Sequence, residues 1–150
     1  MSYQEKNVTV SLFSTIFIMG YFLVNWISMY QQYGLVPARV FSLWGTVIIA
    51  TILVTIFGSI LTNIVLSIVH AIRTRSDQEP RFIEDERDKL ISLKGNQVSY
   101  ITFSLGVLAA MLSFVFGEPA LIMFSLIIFF SILVEIAGGI SQIIRYRRVA

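Results

Sequence analysis

Four apolar runs limit what this chain can fold into, because each approaches or exceeds the ~20 residues an α-helix needs to cross roughly 30 Å of hydrocarbon. They cover about residues 8–30, 41–72, 98–116 and 120–144. A helix satisfies its backbone N–H and C=O groups internally, which a segment immersed in lipid requires. A membrane barrel would alternate polar and apolar residues in segments of about ten, and these runs do not. With 56% hydrophobic and 13% charged residues and a mean hydropathy of +0.80, the composition also lies outside the soluble range. The expected fold is all-α: one polytopic membrane domain over residues 1–150, with four transmembrane helices arranged as two hairpins.

The polar exception is the linker, residues 73–97. It holds Arg73, Arg75, Arg81, Arg87, Lys89 and Lys94, six of the 11 basic residues, and Asp77, Glu79, Glu84, Asp85, Glu86 and Asp88, six of the nine acids. Two hairpins put this linker and both termini on one side. That side carries Lys6, the six linker cations, Arg145, Arg147 and Arg148, whereas the other carries Arg39 alone. The positive-inside rule therefore predicts cytoplasmic termini and a cytoplasmic linker in a plasma membrane. Trp26, Tyr30, Tyr33 and Trp44 would mark the outer boundary, and Tyr3, Tyr100 and Tyr146 the inner one.

Several function classes drop out. The net charge of +2 comes from cations at membrane-proximal ends, so no free-standing basic patch predicts nucleic-acid binding. The chain has no cysteine, which excludes disulfides, thiolate metal sites and lipoprotein acylation. The first apolar run lacks a basic leader and a small-residue cleavage site, so a cleaved signal is not expected. No nucleophile–base pair, phosphate loop or zinc spacing is present. Neither an enzyme, a metal site nor a cofactor is expected.

Polar residues recur within the runs at helical spacing. Ser11, Ser14, Tyr21, Asn25 and Ser28 form one stripe, and Thr51, Thr55, Ser59, Asn63 and Ser67 another. Such stripes face protein rather than lipid. His70, at the end of the second stripe, reads as a boundary residue. Residues 40–69 carry no formal charge; as one helix they would measure about 45 Å and must tilt or project. Gly34 and Pro37 punctuate the first loop, and Gly117-Glu118-Pro119 makes a tight turn between the third and fourth runs.

Glu135 is the one formal charge inside a run. A carboxylate there is costly, and such residues face a cavity or a partner. Ser131, Gly138 and Gln142 share its helix face, and Gly138-Gly139 permits close approach of a neighbour. Asn63 lies at similar depth on a helix running the same way, which makes it a hydrogen-bond candidate. Two readings follow: a proton or cation site, or a structural carboxyl holding helices together.

In the linker, Pro80 breaks the chain and nothing from Glu84 to Lys94 resists helix. The Asp85–Lys89 pair and the early acids favour it. This helix either runs into the third span or bends at Gly95-Asn96. Asp85, Glu86, Arg87, Ile91, Lys94 and Gly95 resemble the D-E-R-x3-I-x2-K-[A/G] signature of a family of small prokaryotic membrane proteins, a domain of unknown function. In that family too the motif precedes a hydrophobic hairpin, though the linker is often shorter than residues 76–84 make it here. The resemblance implies a prokaryotic plasma-membrane protein and no particular activity. Arg87, Ile91, Lys94 and Val98 fall on one face. That face suits either a solvated boundary helix or a docking surface for a cytoplasmic protein or a second protomer. Metal binding by the linker acids is not expected, since cations are interspersed among them.

The leading expectation is a non-enzymatic accessory or regulatory membrane protein that docks a partner through the linker helix. The polar stripes would be covered in a homodimer or against another membrane subunit. The alternative is a small proton- or cation-coupled transporter or channel that uses Glu135.

Overall fold

The computed structural model describes residues 3–74 and 86–148. They form four helices: α1 (Tyr3–Tyr33), α2 (Pro37–Thr74), α3 (Glu86–Val115) and α4 (Ala120–Arg148). Each contains a stretch long and apolar enough to cross a membrane. Side chains near the end of α2, including those of Asn63 and His70, lie outside the described part, as do Asp85 and the rest of residues 75–85.

The helix ends follow from the punctuating residues. Gly34 adopts φ +67°, a left-handed conformation open to a residue without Cβ. Its N–H donates to Tyr30 O at 3.2 Å, closing α1. Pro37 then opens α2 as its first residue, where a missing N–H leaves no bond unmade. At the second turn Gly117 adopts φ +96°. The Glu118 N–H reaches back to Ser113 O at 3.1 Å, the long bond of a Schellman-type cap. Pro119 O accepts from Ile122 N–H at 2.8 Å and starts α4.

The helices extend past the apolar runs at the end that carries both termini. Of the two courses open to the linker helix, α3 takes the continuous one, passing through Gly95-Asn96 without a break. Its 30 residues measure roughly 45 Å, so one end stands clear of a 30 Å hydrocarbon layer. Helix α2, at 38 residues, does so by a larger margin.

Helix α4 lies between α3 and α1, and α2 packs mainly on α1. Among the described residues α2 and α3 do not pack along their length. Helix α2 also meets α4 through Trp44. Its indole N–H donates to Ser125 Oγ at 3.3 Å, and its ring lies 5.6 Å from that of Phe124. Below this contact Ile18, Met19, Phe22, Leu43, Val47 and Ile132 form a buried apolar cluster. The outward faces are apolar, as at Phe17 (77% exposed) and Phe116 (83%). In water that surface would drive aggregation, whereas in a bilayer it meets lipid.

Candidate functional site

The α3–α4 contact is built on residues without bulk. A Cβ on Gly106 would lie 2.6 Å from Phe130 Cβ. A Cβ on Gly95 would fall on the Gln142 side chain, and one on Gly138 on Ser99 Oγ. Gly139, one residue on, faces α1, where Leu12 Cδ1 would lie 3.2 Å from an added Cβ. Gly138-Gly139 thus lets α4 approach α3 on one side and α1 on the other. The Ser99 hydroxyl bridges the closest approach by donating to Val134 O at 3.3 Å.

Beside this contact residues of all four helices line a partly open cavity of about 350 Å³. Asn7, Ser11, Ser14 and Thr15 line it from α1, and Thr51 and Thr55 from α2. Asn96 and Ser99 contribute from α3, and Glu135 and Gln142 from α4. Ile18 belongs both to the cavity wall and to the apolar cluster. The cluster residues therefore form a floor, and the cavity extends from it towards the end with both termini. Glu135 stands one turn above Ile132 of that floor. It is exposed to the cavity and makes no hydrogen bond or ion pair among the described residues.

The lining has one electrostatic sign. No Lys or Arg is among its described residues. Several hydroxyl hydrogens are already committed to helix carbonyls: Thr15 donates to Ser11 O at 3.0 Å, Thr51 to Val47 O at 2.8 Å and Thr55 to Thr51 O at 2.8 Å. A hydroxyl used this way presents oxygen lone pairs to the cavity. One carboxylate among hydroxyls and the Asn7, Asn96 and Gln142 amides, which offer acceptor oxygens as well as N–H donors, can hold a proton or a hard cation, and as the one formal charge it disfavours anions. Among the described residues no group of three His, Cys, Asp or Glu could hold a metal ion, and one carboxylate balances one positive charge.

The predicted site residues divide accordingly. Glu135 and Gln142 line the cavity. Ser131 does not; it is exposed, and its hydroxyl donates to Ile127 O at 2.8 Å. The Asn63–Glu135 pairing lies outside the described side chains. Within the linker motif, Ile91 and Gly95 are buried, while Glu86, Arg87 and Lys94 are exposed. Arg87 donates to Tyr146 O at 3.3 Å. Tyr146 itself is buried at 4% exposure, so it packs between helices instead of marking the lipid boundary. Asp85 lies outside the described residues. Sequence reasoning missed Asn7, Thr15, Asn96 and Ser99 as cavity residues. The signal for Ser99 was its position four residues after Gly95 on one face of α3.

Comparison with the sequence profiles of known families, with curated proteins and with solved structures finds no match.

Proposed function

We propose that this chain is a small proton- or monovalent-cation-coupled membrane transporter, with Glu135 as the binding group. The observation that carries this reading is the Glu135 cavity. All four helices line it, cations are missing from its described lining, and an apolar cluster closes it at one end. A site with an apolar cluster at one end suits stepwise transfer better than a continuous pore. The carboxylate takes up the cation, and the neighbouring hydroxyl and amide oxygens replace part of its hydration. Release on the far side requires the Ile18–Val47–Ile132 floor to part, and the slender α2–α4 contact at Trp44 is where the helices are least committed.

The setting we propose is a prokaryotic plasma membrane, with both termini and the linker cytoplasmic, as the basic residues at that end favour. The family of the D-E-R motif and assembly as a homodimer belong to the same proposal. Docking of a partner is the second reading. What favours it is the exposure of Leu90 (58%) and Leu93 (64%) near the start of α3. What weighs against it is that Ile91 and Gly95 are already spent on packing against α4.

Purified protein in liposomes, driven by a proton or sodium gradient, tests the proposal. Wild type is expected to carry flux, Glu135→Gln to lose it at least tenfold and Glu135→Asp to keep part of it. Equal flux in wild type and Glu135→Gln would remove Glu135 from the mechanism. Co-purification from native membranes, with Asp85, Glu86 and Arg87 all changed to Ala, decides the docking reading.

A further inference from the structure

A second concavity, of about 720 Å³, lies between the basic ends of α3 and α4, away from Glu135. Four cations line it: Arg87 and Lys94 from α3, Arg145 and Arg148 from α4. The acids of the same stretch, Glu86 and Asp88, are not among the lining residues. Concentrating four like charges in one groove is unfavourable unless an anion joins them. The Arg145 Nε is buried and has no hydrogen-bond partner among the described residues, and leaving a buried donor without a partner is unfavourable. Arg87 is held in place by its bond to Tyr146 O at 3.3 Å, which uses one of its five donors.

Apart from Ser141, the rest of the groove is apolar. Leu90, Ile91, Ile140 and Ile144 line it with the cations. The α3 positions 87, 90, 91 and 94 follow helical spacing, as do 137, 140, 141, 144, 145 and 148 on α4. The two stripes thus run side by side, with Arg87, Arg145 and Arg148 towards the helix ends, Lys94 two turns further in on α3, and Ala137 and Ile140 deeper on α4. A soluble phosphate would use the cations and leave that apolar wall bare. A lipid uses both.

We infer that this groove binds an anionic glycerophospholipid of the surrounding bilayer. The phosphodiester sits among Arg87, Lys94, Arg145 and Arg148, and an acyl chain lies along Ile140 and Ile144. Basic recesses between transmembrane helices recognise such headgroups in general, with roughly 1 kcal/mol from each Lys or Arg near the surface. Lys94 and Arg148 are the cations to remove, because both are exposed and neither bonds to a described residue.

The test is lipid retention by purified protein, read by native mass spectrometry, with the unfolding midpoint recorded alongside. Cardiolipin, phosphatidylglycerol and phosphatidylcholine are offered in equal amounts, and glycerol phosphate serves as the soluble competitor. Wild type is expected to retain the anionic lipids selectively and to melt at higher temperature with them. Lys94→Gln/Arg148→Gln is expected to bind them about 30-fold more weakly, two cations' worth, while melting like wild type in phosphatidylcholine. Arg39→Gln, a charge removed at the other end, should leave selectivity intact. Retention of phosphatidylcholine equal to that of the anionic lipids overturns the inference. So does displacement by glycerol phosphate at matching concentration, or an equal loss in Arg39→Gln. Should the double variant not fold, the wild-type lipid ranking and the competitor decide on their own.

Discussion

Glu135 would act as a structural clamp if its carboxyl bonded a neighbouring helix, and it makes no such bond among the described residues. The cavity it lines holds hydroxyls, several with hydrogens committed to their own helix, and the amides of Asn7, Asn96 and Gln142. That difference yields a prediction. Glu135→Gln is isosteric and removes no described contact, so its unfolding free energy should stay within roughly 0.5 kcal/mol of wild type. A loss of several kcal/mol, measured by denaturant titration in micelles, would return Glu135 to a structural role. The residue was legible in the sequence because a lone charge in an apolar run stands out. Its companions were only half legible. Ser11, Ser14, Thr51 and Thr55 were visible as stripes, but Tyr21, Asn25 and Ser28 continue the first stripe without reaching the cavity. Asn25 bonds its own helix instead, donating to Tyr21 O at 2.8 Å. Such back-bonding lets a polar residue tolerate lipid, so periodicity alone does not separate cavity from wall.

Among the elements, α3 and α4 form the tightest pair, and glycine decides how close they come. Gly106→Ala would place a methyl within 2.6 Å of Phe130 Cβ, an overpacking that costs about 1–3 kcal/mol. Gly45→Ala, in α2, meets nothing within 4 Å and should be neutral or slightly stabilising, as an alanine in a helix interior is. Thermal unfolding in the same detergent compares them. Equal midpoints would mean that α3 and α4 are further apart than described. Gly138-Gly139 announced a close approach in the sequence, whereas Gly106 did not, since only the facing Phe130 gives it meaning. The linker motif is a similar case. Its helical periodicity was readable, but whether its face meets a partner or the chain's own α4 depended on where α4 ended. Arg87, Ile91 and Gly95 face α4 through Tyr146 and Gln142.

At the scale of the molecule, hydropathy was enough to expect four spanning helices in two hairpins. It did not say that α4 would lie between α1 and α3, nor that α2 and α3 would stay apart, because four apolar helices can be ordered around a bundle in several ways. That order creates the cavity, with the apolar cluster beneath it and the termini at its other end. The most direct measurement of this account uses the absence of cysteine from the chain. Ser14→Cys and Phe13→Cys differ by one residue, hence about 1.5 Å in depth, but Ser14 lines the cavity and Phe13 is 61% exposed on the outward face. Each is treated in membrane vesicles with a charged, membrane-impermeant thiol reagent from either side. Ser14→Cys is expected to react from the side of the termini only, to be protected by the transported cation, and to lose that protection in Glu135→Gln. Phe13→Cys, facing lipid, is expected to stay unreactive. Equal reactivity of the two thiols, or labelling of Ser14→Cys from the opposite side alone, would contradict this account.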